Sequence, residues 1–98
     1  MTIEKKTDGS AYTLALEGRL DTITAPEFEA ALKQVLEDAQ TLTLDFSRLE
    51  YISSAGLRML LMAQKAMASK GGMKVTHVNE MVNEVFEITG FSDVLTVE

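Results

Sequence analysis

Tyr12, Leu14 and Leu16 alternate with Thr13, Ala15 and Glu17, the period of a strand covered on one face. A second strand-like run, Ile3 to Lys6, lies upstream of it across Thr7-Asp8-Gly9-Ser10. Asp-Gly between two such runs predicts a hairpin, because both turn positions tolerate positive φ. Phe28, Ala31, Leu32, Val35 and Leu36 then change the period to i, i+3, i+4, i+7, i+8, one stripe of an amphipathic helix. Thr24 is the expected cap of that helix, with Pro26 and Glu27 in its first turn. Leu42, Leu44 and Phe46 alternate with Thr41, Thr43 and Asp45 as a further strand, followed by a short loop.

A long helix is expected from Ser54 to Lys70, stopped by Gly71-Gly72. It is apolar nearly all round, and Leu57, Leu60, Leu61, Gln64 and Ala68 form the expected core stripe. Met59, Met62, Ala66 and Met67 are left for a neighbouring helix or for an adaptable binding surface. Met73, Val75 and His77 alternate with Lys74, Thr76 and Val78 in another strand. Asn79 caps a helix carrying Met81, Val82, Val85, Phe86 and Ile88, closed by Gly90, and Phe91 to Val97 adds a short strand or helical turn.

The order is β-β-α-β-α-β-α with a tail, and it spans residues 1–98 as one α/β domain. Strands separated by helices pair in parallel, so the sheet is open, mixed and mainly parallel. Parallel strands covered on both faces read as continuous apolar runs. These alternate instead, which places the helices mainly on one face.

With 46% apolar and 24% charged residues, the chain can bury a core. A formal net charge of −6 with scattered Lys and Arg argues against nucleic acid and anionic membrane as partners. No apolar run reaches membrane-spanning length and the first residues lack a signal-peptide core, so a cytoplasmic location is expected. The absence of cysteine removes disulfides and thiolate metal sites, and a single histidine makes any metal site improbable.

The chemistry concentrates in Tyr51-Ile52-Ser53-Ser54-Ala55-Gly56-Leu57-Arg58. Helix starts gather unpaired N–H groups and partial positive charge, so a hydroxyl there sits where an anion is welcome. Ser54 reads as an N-cap, as a phosphoacceptor, or as both, and Ser53 as a structural cap or a kinase-recognition residue. Asp21 and Asp45, each expected at a strand end on one sheet edge, either shape this loop or simply form turns. Ser54-Ala55-Gly56 also resembles half of a Gly-x-Ser-x-Gly elbow, but Ile52 stands where the first glycine belongs. His77, the one histidine, reads as an ordinary strand residue far more readily than as a catalytic base. A small serine esterase is therefore a remote alternative.

Gly18-Arg19-Leu20-Asp21, Leu44-Asp45-Phe46 and the serine loop together make the chain resemble STAS domains, specifically bacterial anti-sigma factor antagonists (anti-anti-sigma factors). The resemblance implies phosphorylation at Ser54. It also implies that the unphosphorylated form sequesters an anti-sigma factor, itself an ATP-dependent serine kinase, and that phosphorylation releases it. A serine phosphatase would reverse the step, and no cofactor belongs to this chain. Many members carry an acidic residue before the phosphoacceptor, where this chain has Ser53. Asp21, Ser53, Ala55, Gly56, Leu57 and Arg58 are the expected partner-binding residues. Gly56 would allow close approach, and Leu57 and Arg58 would lie at the contact surface. A STAS subunit of a lipid-transport or larger signalling assembly is the alternative within binding modules.

Overall fold

The computed structural model describes residues 1–98. Strands β1 (Thr2–Asp8) and β2 (Ala11–Leu20) form the expected antiparallel hairpin, with Gly9 at φ +62° in its turn. There follow helix α1 (Ala25–Leu36), strand β3 (Thr41–Ile52), helix α2 (Ser54–Met67), strand β4 (Met73–Thr76) and helix α3 (Glu80–Thr89). A 3-10 turn over Phe91–Asp93 and a two-residue strand β5 (Thr96–Val97) complete the chain, so the tail holds both a helical turn and a strand where one or the other was expected. The strands stand in the order β1-β2-β3-β4-β5, with every pair after the first parallel.

One core holds the molecule together. Leu14, Leu16 and Leu20 of β2 and Leu42, Leu44 and Phe46 of β3 meet Phe28, Leu32 and Val35 of α1, Leu60 and Met67 of α2, and Val82 and Phe86 of α3. Because all three helices share this cluster, they cover one face of the sheet. The other face carries Thr13, Ala15, Thr43, Asp45, Lys74 and Thr76, half-buried or exposed.

Three local features depart from the sequence pattern. Strand β3 does not stop after Phe46; it continues to Ile52 in place of a loop. Ala15 pairs Asp45 but Glu17 pairs Arg48, and Gly18 pairs Leu49 but Arg19 pairs Tyr51, so β3 holds an extra residue at each step. Such bulges shift the alternation. Burial accordingly runs Leu42, Leu44, Phe46, then Leu49 and Ile52. Asp45 thus lies inside β3, not at its end.

Helix α2 ends at Met67 and is rotated from its expected stripe: Gly56, Leu57, Leu60, Ala63 and Met67 are buried, whereas Ala68 is exposed. An all-round apolar helix has no phase of its own. Gly56 supplies one, because a Cβ there would lie 2.7 Å from Leu20 Cγ and 2.8 Å from Ile52 Cγ1. Only the glycine face can approach the sheet so closely. Beyond the helix, Lys70 Nζ donates to the carbonyls of Leu36 and Glu37, a cation at the C-terminal end of α1 where its dipole favours one.

His77 is the third departure. Strand β4 stops at Thr76, and His77 follows at φ +58°, exposed. The caps of α3 are those expected. Asn79 Oδ1 accepts from the Val82 amide at 2.8 Å, and Gly90 closes the helix at φ +81°.

Candidate functional site

The carboxyl ends of β2 and β3 are neighbours, and each leads into a helix covering the same sheet face. In parallel sheets this edge is where helix N-termini and loops present their polar groups. Ser53 and Ser54 occupy it. The cap position belongs to Ser53, in extended conformation at φ −103° and ψ 177°, and Ser54 is the first helical residue. The reading of Ser54 as N-cap is thereby corrected by one position. The first helical hydrogen bond runs from the Leu57 amide to the Ser53 carbonyl at 3.0 Å. The amides of Ser54, Ala55 and Gly56 precede it and have no intrahelical acceptor.

Ser53 caps in backbone only. Its hydroxyl makes no bond to the helix amides, and Oγ is buried without a partner. Ser54 is exposed, Ala55 half-buried, and Arg58 exposed one turn further on. The first turn of α2 contains no acidic residue. A negative group on Ser54 would therefore meet free amides and the positive end of the helix dipole, with no carboxylate on that turn to repel it.

Gly56 and Leu57 are not at the surface. Gly56 is buried against Leu20 and Ile52, and Leu57, 6% exposed, belongs to the core. The close approach that Gly56 permits is intramolecular. Periodicity places both on the helix, but only its rotation about the glycine contact turns them inward.

Asp21 organises the adjoining loop. Its Oδ1 accepts from the amides of Ile23 and Thr24, both at 3.0 Å, while its own amide donates to Thr24 Oγ1 at 2.9 Å. The Ala25 amide donates to the Asp21 carbonyl at 2.8 Å. This reciprocal Asp-to-Thr arrangement is a capping box. Asp21 performs the capping expected of Thr24, which is itself in helical conformation and makes no cap bond to α1. The Thr24 amide is the main reason the Asp21 carboxyl is held below its usual range; the Thr24 hydroxyl, the Ile23 amide and Arg19 reinforce it against a desolvation penalty.

The two loops are joined directly, since the Ser53 amide donates to the Leu20 carbonyl at 2.9 Å. Beside this link the Arg19 guanidinium lies over the Tyr51 ring at 4.3 Å, a cation–π contact. Sequence reasoning missed this pair, because only the bulged register sets Arg19 opposite Tyr51.

Asp45 does not join the serine loop. It lies on the helix-free face, where Oδ1 accepts from the Ser47 amide at 3.0 Å and sits 3.1 Å from His77 Nδ1. Partial desolvation raises its carboxyl, but Ser47 and His77 outweigh that and hold it below the usual range. A shallow depression of about 230 Å³ runs beside it, lined among others by Glu4, Lys6, Glu17 and Arg48. Neither Ser53 nor Ser54 lines this depression or the second one, near Gly71 and Gly72. His77 is engaged with Asp45 and Thr76 and makes no hydrogen bond to Ser54, so the half-elbow does not acquire a base. No group of three or more His, Cys, Asp or Glu side chains is arranged to hold a metal. No helix is long and apolar enough to cross a membrane.

Comparison with known proteins agrees with this architecture. The family model described as "Mlab, STAS domain" matches residues 3–97. BtrV of Bordetella bronchiseptica, assigned as an anti-sigma factor antagonist, is 37% identical over 94 residues, covering 94% of this chain and 80% of its own length. An anti-sigma factor antagonist from Mycobacterium paratuberculosis superposes with a TM-score of 0.90 at 23% identity, over 98% of this chain and 83% of that one. Bacillus SpoIIAA superposes in its unphosphorylated form with a TM-score of 0.83 at 17% identity, over 99% of this chain and 88% of that one. Its phosphorylated form gives 0.76 at 16% identity, over 99% and 91%. These structural likenesses are likenesses of fold.

Proposed function

The chain belongs to the STAS domain family, and on that premise we propose that it is a phosphorylation-controlled binding module acting on an anti-sigma factor. It sequesters the anti-sigma factor, a serine kinase, while Ser54 is unmodified, and releases it when Ser54 carries phosphate. A serine phosphatase restores the binding form. Relatives of this chain are named as anti-sigma factor antagonists. SpoIIAA, which shares the fold, has been solved in unphosphorylated and phosphorylated forms.

The observation that carries the proposal is the placement of Ser54, exposed at the first position of α2 with no acid in the first turn. A phosphate adds roughly −1.5 to −2 charge and three acceptor oxygens. In the free protein the helix start supports it. In a close protein contact the same charge loses its water, which is costly unless cations replace it. One modification is thus tolerated by the fold and refused by the interface. Ser53, Ala55 and Arg58 flank Ser54 on the loop and first turn of α2, Asp21 orders the adjoining turn, and Gly56 and Leu57 support it from within. ATP binds the kinase, the module itself turns over no substrate, and the exchange takes place in the cytoplasm.

The test is direct. Incubated with its anti-sigma kinase and ATP, the chain gains a single phosphate, which peptide mass spectrometry locates on Ser54. A phosphate on Ser47 or Ser53 with Ser54 untouched refutes the assignment.

A further inference from the structure

Two isoleucines stand almost fully in solvent, Ile23 at 84% exposure and Ile88 at 82%. Lone exposed apolar side chains are ordinary on protein surfaces. Ile23 differs from Ile88 in how it is mounted. Ile88 rides near the end of α3, which makes no hydrogen bond to the serine loop. Ile23 sits in the Asp21–Thr24 turn, where Asp21 Oδ1 accepts from the amides of Ile23 and Thr24. Thr24 Oγ1 then donates to the Arg19 carbonyl at 2.7 Å, closing the turn on the end of β2. A residue so held has little backbone freedom left to lose on binding.

The turn also departs from Leu20, whose carbonyl accepts the Ser53 amide. Ile23 and Ser54 are therefore presented by two loops pinned to each other at one sheet edge. Next to the pin lies the Arg19–Tyr51 stack, residue types that concentrate at the energetic centres of interfaces.

Building on the switch reading of Ser54, we infer that Ile23 is the apolar anchor of the anti-sigma contact, seated in an apolar pocket of that partner. Its burial draws the neighbouring serine into a water-excluded contact. An unmodified hydroxyl accepts that environment, whereas a phosphate must stay hydrated and so keeps the anchor from seating. Ile23 accordingly sets both the affinity of the unmodified complex and the ratio by which phosphorylation weakens it.

The experiment is a calorimetric titration of wild type, Ile23→Ala, Ile23→Val and Ile88→Ala, each with and without phosphate on Ser54. The titrant is the purified anti-sigma kinase of the host. Ile23→Ala is expected to weaken the unmodified complex by about thirtyfold or more, the scale of an interface hot spot. It also narrows the gap between the two phosphorylation states. Ile23→Val stays within about fourfold of wild type, as loss of one methylene should. Ile88→Ala binds as wild type does. The Ile23 side chain is solvated in the free protein, so all variants should show the wild-type far-UV spectrum and melt. If wild type binds the kinase and Ile23→Ala binds within about twofold of it, the anchor is refuted and the switch survives. Equal damage from Ile88→Ala refutes the anchor too. Failure of wild type to bind any anti-sigma kinase of the host overturns both readings.

Discussion

The amide of Ser53 donates to the carbonyl of Leu20 across 2.9 Å, and one turn later Gly56 rests its bare Cα on the Leu20 side chain. Leu20 thus holds the start of α2 twice, by backbone and by side chain. The Asp21–Thr24 turn leaves from the same residue, so the two loops share one anchor point. This short connection gives the start of α2 a rigid platform and couples the residues that share it.

Gly56→Ala tests the platform. The new methyl would meet Leu20 Cγ and Ile52 Cγ1 inside 3.0 Å, atoms close to their backbones on buried side chains with little room to swing aside. Overpacking of this kind costs about 1–3 kcal/mol, against about 1 kcal/mol gained from helix propensity. The variant should be less stable by up to about 2 kcal/mol in urea denaturation, and a more stable variant would contradict the packing described here.

Ser53→Ala should behave unlike an ordinary cap deletion. Removing a capping hydroxyl usually costs about 0.5–2 kcal/mol. The Ser53 hydroxyl caps nothing and is buried without a partner, so its removal relieves an unsatisfied group. A melting temperature equal to or above that of wild type is expected. A clear drop would show that the hydroxyl has an acceptor in solution.

At Ser54, stability and affinity should move in different directions. Ser54→Ala removes an exposed hydroxyl from the first helical position and should change stability by less than about 0.5 kcal/mol while resisting phosphorylation. Ser54→Asp places charge at the helix start, which favours the fold by about 0.3–1 kcal/mol. The same charge should weaken the anti-sigma contact by a few kcal/mol. Thermal melts beside calorimetric titrations separate the two effects. The phosphorylated protein gives the decisive comparison, since undiminished binding by that form would end the mechanism.

Acid should erode the fold through Asp21 and Asp45. Both carboxyls are held below their ordinary value of 3.8 in the folded chain, so the folded state binds fewer protons than the unfolded one. Each contributes stability above that pH and loses it as the pH falls through the folded value. Asp21→Asn keeps an oxygen acceptor for the Ile23 and Thr24 amides but cannot ionise. It should be less stable than wild type at neutral pH and show a shallower loss of stability below pH 4, read from urea midpoints across the acid range. An unchanged slope would mean that the Asp21 charge does not stabilise the turn.

How much of this was legible in the chain depended on the range of the interactions involved. The Asp8-Gly9 hairpin, the Asn79 and Gly90 ends of α3 and the one-sided cover of the sheet follow from period and nearest-neighbour hydrogen bonding, which the residues carry with them wherever they fold. Ser54 stood out for the same reason, as a serine opening a helix after a strand. The extension of β3 through Leu49 and Ile52 did not, because its bulges exist only against β2, and an alternation broken by an extra residue reads locally as a loop. Nor did the inward turn of Leu57, since a helix apolar on every side takes its rotation from the sheet it packs on. Asp45 and His77 lie well apart in the chain, and β3 pairing with β4 is what brings them together, away from the serine loop. The amino-acid sequence determined the elements, their order and the chemistry at the start of α2. Register and close packing, properties of pairs of segments, decided which of those residues are exposed and which hold the platform.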